Sequence, residues 1–251
     1  KINQITKSTS LLLVNFSLKS QELGRMLETN ITKSTFQFLN SLKKNNNREW
    51  FSEHKTDFTT ESEKVKCFFN NILEKLKSHD EIERLKVFRI YRDVRFSKNK
   101  TPYKNNFSAS FARAGNHRRG GYYLQIEPGN SFIATGFWSP EKDDLLRIRK
   151  EWEIDTTELE AIIENDTFKK VWGQLVGEEL KTAPKGFDKE DPNIQFIRKK
   201  QFIFIRKFSD KEVLENDFAS QIDESFKLIK PYFDLMSNIL TTNLNGESLL
   251  N

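Results

Sequence analysis

Hydrophobic residues recur with two different periods along this chain, and the change of period marks its organisation. Phe36, Phe38, Leu39 and Leu42 follow Ser34 at helical spacing, and Asn45-Asn46-Asn47 interrupts the run. Trp50 and Phe51 open the next segment. Val65, Phe68, Phe69, Ile72, Leu73 and Leu76 then form an i, i+3, i+4, i+7 stripe, which predicts an amphipathic helix over 60–77. From Leu85 the period drops to two. Phe88, Ile90, Val94 and Phe96 alternate with Arg89, Tyr91, Asp93 and Arg95, the pattern of a strand with one buried face. Ser97 to Pro102 reads as a loop, and Phe107, Ala109 and Phe111 as a further strand. Tyr122–Glu127 and Ser131–Trp138 flank Pro128-Gly129-Asn130, which predicts a hairpin.

Pro140 with Glu141, Asp143 and Asp144 makes a helix start ahead of Leu145, Leu146, Ile148 and Trp152. Further helices are expected at 156–165, 167–173 and 210–240, the last broken near Pro231, and a strand at Gln201–Phe208. Strands grouped between helices, rather than alternating with them, predict an α+β fold: a central, mainly antiparallel sheet packed by several amphipathic helices. Residues 33–240 are expected to form a single domain. Residues 1–32 are expected to be a flexible or non-native extension, with a natural start near Met26, and 241–251 a C-terminal tail.

Composition narrows the class. A chain of 251 residues is long enough to bury roughly three quarters of its unfolded surface. Its 22 Phe against two Met point to an aromatic-rich core. The single cysteine, Cys67, excludes an intrachain disulfide framework and a multi-cysteine zinc site, and favours a cytoplasmic location. The Leu11–Val14 run is too short to span a bilayer, so no membrane partner is expected. His54, His79 and His117 fit no metal-ligand spacing with Cys67; no metal and no cofactor is implied.

The net charge of +5 conceals a segregation. Residues 84–119 hold eleven basic side chains and one acid, Asp93; residues 194–207 hold five basic side chains and no acid. The rest of the chain is therefore acidic. Segregated charge focuses a field and suits an anionic partner.

The stretch from Arg89 to Lys104 carries the most chemistry. In strand register Arg92 shares a face with apolar residues, so it needs a carboxylate, and Glu127 is a candidate. Asp93 falls between Arg89 and Arg95 and should stay ionised. Ser97, Lys98, Asn99, Lys100 and Thr101 offer hydroxyl, amide and ammonium donors close together, with Pro102 stiffening the loop and Tyr103 anchoring it. Such a donor set suits phosphate, although no glycine-rich P-loop is present. Arg89, Arg92, Arg95, Ser97, Lys98, Lys100, Thr101, Tyr103 and Lys104 are thus the candidate ligand-binding residues, helped by Arg198 and Lys200.

The segments Asn46-Asn47-Arg48-Glu49-Trp50-Phe51, Arg89–Lys104, Gly121–Gly129, Trp138-Ser139-Pro140 and Pro184–Asp188 together resemble an uncharacterised bacterial and fungal family, domain of unknown function 2461. The resemblance spans about residues 36 to 237. It implies a shared fold and shared polar positions, but no reaction. Asn99 stands where it leads one to expect an acid, and Asn130 and Thr135 where it leads one to expect glycine.

Three functional classes follow. The first is a protein binding a phosphate-bearing or other anionic ligand, a small molecule or nucleic acid. The second is an enzyme on a phosphorylated substrate with Asp93 or Glu127 as acid or base. The third is an interaction module that meets an acidic protein through its basic face. Trp50, Trp138, Tyr91, Tyr103, Tyr122 and Tyr123, interleaved with the cations, would serve single-stranded nucleic acid in the first class.

Overall fold

A computed structural model describes residues 30–250; the expectations for the first 29 residues lie outside them. Helix α1 (Lys33–Lys44) ends in Lys43 and Lys44, whose charges complement the carbonyl end of its dipole. Asn47 then caps α2 (Arg48–Glu53), its side chain accepting the Trp50 amide at 2.9 Å. Helix α3 (Lys55–Lys77) buries Val65, Phe68, Phe69, Ile72 and Leu76, the stripe read from the sequence, and starts five residues earlier than expected.

Five strands follow, β1 (Ile82–Val87), β2 (Phe107–Arg113), β3 (Gly121–Ile126), β4 (Ser131–Phe137) and β5 (Phe202–Phe208). They lie in the order β1-β2-β3-β4-β5, each antiparallel to its neighbour. Between β4 and β5 come α4 (Lys142–Ile154), α5 (Thr157–Ile163), α6 (Asp166–Trp172) and the short α7 (Ile194–Ile197). The chain continues through α8 (Asp210–Val213), α9 (Phe218–Leu228) and α10 (Lys230–Thr241). The helical stretch expected over 210–240, broken near Pro231, is thus three helices, and the break ahead of α10 puts Pro231 in its first turn, where a missing N–H costs nothing. The architecture is α+β.

The sheet has two unlike faces. The inner face carries Phe107, Ala109 and Phe111, then Tyr122, Leu124 and Ile126, then Ile133 and Phe137, then Phe202 and Phe204, all buried. Helices cover it with rings. Tyr122 meets Phe226 of α9, Phe137 meets Phe233 of α10, Phe204 meets Phe168 of α6, and Phe202 meets Trp152 of α4 edge-on. The abundance of Phe is explained here, since edge-to-face rings fill the layer between sheet and helices. The outer face carries Ser108, Ser110, Tyr123, Gln125, Phe132, Ala134, Ile205 and Lys207 by strand alternation. Tyr123, Phe132 and Ile205 remain partly exposed there.

The strand expected over 88–96 does not form. Strand β1 ends at Val87, and residues 88–106 leave the sheet as an irregular arm between β1 and β2. The arm is held to itself by one isolated bridge, Tyr91 with Tyr103, and by the hydrogen bonds Arg92 N to Pro102 O and Lys104 N to Ile90 O. Ile90 is buried as alternation required, but Phe96 is 95% exposed at the far end of the arm. The period of two holds as far as Ile90; beyond it no strand or helix among the described residues offers a surface to cover the apolar side.

Two turns explain residues named from the sequence. At the β3–β4 hairpin Asn130 N donates to Glu127 O, with Pro128 and Gly129 (φ +74°) at the centre. Pro then Gly is the type II arrangement, which needs positive φ at Gly129 and leaves Asn130 free to be any residue. Thr135 likewise has no positive φ; the demand for glycine falls on Gly136, at φ +116°. A Cβ there would lie 2.2 Å from Phe202 O on β5. Gly136→Ala is therefore expected to cost about 3 kcal/mol, from backbone strain and overpacking together. A chemical-denaturation midpoint equal to the parent's would refute that close approach.

Candidate functional site

The arm is fixed before it can present anything. Asn46, in the link between α1 and α2, donates from Nδ2 to Tyr103 O at 3.0 Å and accepts the Tyr103 amide on Oδ1 at 3.1 Å. One side-chain amide thus satisfies both backbone groups of Tyr103, as a neighbouring strand would. Asn46 Nδ2 also donates to Asn105 Oδ1 at 3.0 Å. The Tyr103 ring is buried and stacks on Phe51 of α2 at 4.0 Å, with Tyr91 beside both. Tyr103 is therefore an anchor, as expected, and its ring faces the core. Asn99 anchors the end of the arm, accepting the Thr101 amide and hydroxyl at 2.9 and 2.8 Å. An acid in its place would accept the same bonds.

Where the arm returns to the sheet it encloses a recess of about 500 Å³. Arg92 and Asp93 come from the outgoing limb, Lys104, Asn105 and Asn106 from the returning limb, Ser108, Tyr123 and Gln125 from the outer sheet face, and Glu127 from the hairpin turn. Both candidate acids thus meet two of the candidate cations. Arg92 does not pair with Glu127; it donates to Thr101 Oγ1 at 3.1 Å. Arg95 grips Asp93 with two guanidinium nitrogens, Nε at 3.0 Å and Nη2 at 2.6 Å, and adds its backbone amide. Those bonds, with a smaller contribution from the charge of Arg89, hold the Asp93 carboxyl below its usual range, so it is a poor base.

Glu127 differs. Gln125 and Asn130 donate to its Oε2 at 2.8 and 3.1 Å, and among the described residues no cation pairs with it. Burial, then the positive charges of Arg89 and Arg92, pull the Lys104 ammonium below its usual range. Burial and the charge of Glu127 push the Tyr123 phenol up, against a hydrogen bond with Ser108. The phenol donates to Gln125 Oε1 at 3.0 Å. Asn106 Oδ1 is buried in the recess wall without a hydrogen-bond partner among the described residues.

The remaining candidates lie elsewhere. Lys98 is exposed, Ser97 is partly buried, and Lys100 donates to Val94 O at 2.9 Å; none lines the recess. Arg198 and Lys200 precede β5 at the Phe137 end of the sheet, whereas the recess lies at the Phe107–Ile126 end. Lys200 pairs with Glu178 at 2.8 Å, and Arg198 with Glu179 at 3.8 Å. Arg198 and Lys200 therefore do not join the cations of the recess. Of the aromatic residues singled out, Trp50 stacks on His54, Tyr122 is buried, and Trp138 and Tyr91 are exposed away from the recess; only Tyr123 lines it.

Among the described residues the buried arginine is Arg113. Its side chain and that of Asp80 are each 1% exposed and meet at 2.6 Å. Asp80 also receives the Tyr122 phenol at 2.7 Å and the Glu81 amide at 2.9 Å, while Arg113 donates to Arg119 O at 2.7 Å and lies over the Phe233 ring. The signal was in the sequence: Arg113 continues the alternation of Phe107, Ala109 and Phe111. Arg118 and Arg119 pair with Glu81 and Asp144.

In fold class this is an α+β protein whose single antiparallel sheet is clothed by helices on one face and bordered on the other by a basic arm. The chain belongs to the family described as conserved hypothetical protein, DUF2461, whose model matches residues 34–235. No curated protein and no solved structure matches it. No helix among the described residues is long and apolar enough to cross a membrane.

Two outcomes test this geometry. Asp80→Asn removes the carboxylate that meets Arg113 at 2.6 Å and leaves this buried guanidinium only Asp234, at 4.0 Å, and is expected to cost about 3–5 kcal/mol in urea unfolding. Burial raises the Asp80 pKa, but the bonds from Arg113 and Tyr122 outweigh it and the net shift is downward. The stability Asp80 contributes is therefore complete above the usual carboxylate range and lost as pH falls through its depressed value; Asp80→Asn should flatten that acid limb. Asn46→Ala should cost about 1–3 kcal/mol and speed proteolytic cleavage within 89–104, because two backbone groups lose their partner. Unchanged cleavage would show that the stacked ring alone secures the arm.

Proposed function

We propose that the recess binds a phosphate-bearing or similar anion through Arg92 and Lys104, with Arg89 adding to the field. The observation that carries this reading is an imbalance. Of the eleven cations in 84–119, Arg95, Arg113, Arg118 and Arg119 have acid partners. Arg84, Lys86, Arg89, Arg92, Lys98, Lys100 and Lys104 have none within 4.0 Å among the described residues. Two of them, Arg89 and Arg92, sit close enough to depress Lys104, and an anion would relieve that repulsion. The neutral donors of Asn105, Asn106 and Ser108 complete a mixed site of charge-assisted and ordinary hydrogen bonds.

A second reading, an enzyme on a phosphorylated substrate, is favoured by Glu127. It is a carboxylate without a cation partner in the same recess, positioned to take a proton from water. Asp93, neutralised by Arg95, would hold the arm in shape. The interaction module keeps only the exposed cations and leaves the recess without a role.

Inorganic pyrophosphate is the simplest probe. It is expected to raise the melting temperature of the parent chain, and Lys104→Gln or Arg92→Gln should abolish most of that rise. Affinity should hold through neutral pH and fall as pH climbs through the lowered Lys104 range, earlier than for an ordinary lysine, because the bound anion favours the charged ammonium. Lys104→Arg should remove that alkaline fall. Glu127→Gln should bind pyrophosphate at least as tightly; loss of phosphatase turnover in this variant alone would select the enzymatic reading. No pyrophosphate stabilisation at low salt would sink the anion site.

A further inference from the structure

The recess opens onto the outer sheet face, and that face carries a row of rings that no helix among the described residues covers. Phe88 leaves β1 beside Ser108, its amide bonded to Ser108 O at 2.9 Å. Its ring lies 6.1 Å from that of Tyr123 on β3, and Tyr123 lies 5.7 Å from Phe132 on β4. All three are partly exposed. Cations stand at both ends of the row. Lys86 and Lys104 lie over the Phe88 ring at 5.2 and 5.3 Å, and Lys207 is the strand partner of Phe132 across β4 and β5. Phe88 and Phe132 were absent from the aromatics singled out in the sequence, because alternation alone does not say which face of a strand is covered.

We propose that the anion is a stretch of single-stranded nucleic acid, its phosphates on Lys104 and Arg92 and its bases stacked across Phe88, Tyr123 and Phe132. This rests on the anion reading above and names its ligand. Aromatic side chains on an open sheet face offer surfaces to unstacked bases of any identity, and flanking cations follow the backbone. The features divide the alternatives. A free phosphate uses the cations and leaves the rings idle, and an acidic peptide does the same. A duplex keeps its bases stacked on each other and has none to lay on the row. A free nucleotide would occupy one ring, whereas three rings in sequence with lysines at both ends fit a strand.

The test is fluorescence anisotropy of the full chain at low salt with labelled ten-nucleotide oligo(dT) and oligo(rU). A duplex of the same length, UTP and pyrophosphate serve as competitors. The single strands are expected to bind, with the duplex and UTP competing poorly. Phe132→Leu and Tyr123→Leu, checked for unchanged melting, should each weaken binding about tenfold. Tyr123→Phe, which keeps the ring and loses the hydroxyl, should bind like the parent. Lys104→Gln should reduce the slope of log affinity against log salt by about one phosphate contact. Equal binding by both leucine variants, or duplex or UTP competing as well as single strand, overturns the proposal. The anion reading then survives if pyrophosphate still stabilises the parent and not Lys104→Gln. Failure of both oligonucleotides and pyrophosphate removes both readings together.

Discussion

A buried ion pair holds together the elements that make this sheet usable. Arg113 ends β2 and Asp80 follows α3, and the pair they form takes in Tyr122 from β3 and the Arg119 carbonyl from the β2–β3 loop. Ser237 of α10 joins it by accepting the Arg119 amide at 3.0 Å. Two charges inside an aromatic layer are stable only while every lone pair and N–H has a partner. The constraint therefore acts on geometry: helix, strands and loop must meet in one arrangement, or a charge is left bare. That arrangement fixes one end of the sheet and leaves the opposite end, where β3 turns into β4, for the recess.

The second requirement is a way to hold an irregular arm without burying it. Regular strands satisfy their backbone through neighbours; residues 88–106 have few. The solution uses a ring and an amide. Tyr103 stacks on Phe51, and Asn46 closes both hydrogen-bonding groups of the Tyr103 backbone. Because Asn46 also reaches Asn105, the same side chain steadies the recess wall. The Asn-Asn-Arg-Glu-Trp-Phe motif near the start of the family match thereby acquires a physical meaning. Asn46 fastens the arm, Asn47 caps α2, and Phe51 supplies the surface on which the arm rests.

Charge and aromatic surface then serve one reading. Among the described residues the helices cover one face of the sheet and leave the other, beside the recess, to small polar residues and three rings. The arm brings cations to the edge of that open face and largely leaves them without acids. An anion with flat groups would meet both features; either feature alone would accept many partners. The proposal thus stands on their adjacency more than on the strength of any single contact.

Much of the architecture was legible along the chain. The stripe of α3, the Pro-Gly hairpin, the start of α4 and the antiparallel sheet all follow from local periodicity and turn chemistry, which need only neighbours in sequence. The basic stretch and its two acids were equally visible. What the chain could not say is which alternating segment would find a partner: 88–96 has a strand's pattern, yet among the described residues its apolar side beyond Ile90 has no surface to meet, so Phe96 is exposed and Arg92 opens onto a recess. Nor could it say which arginine would be buried, since alternation marks Arg92 and Arg113 alike and only the position of Asp80 under the sheet separates them. Arg198 and Lys200 failed to join the other cations for the same reason. Distance in space between two charged segments is set by strand order and register, and those are decided when the sheet closes against its helices.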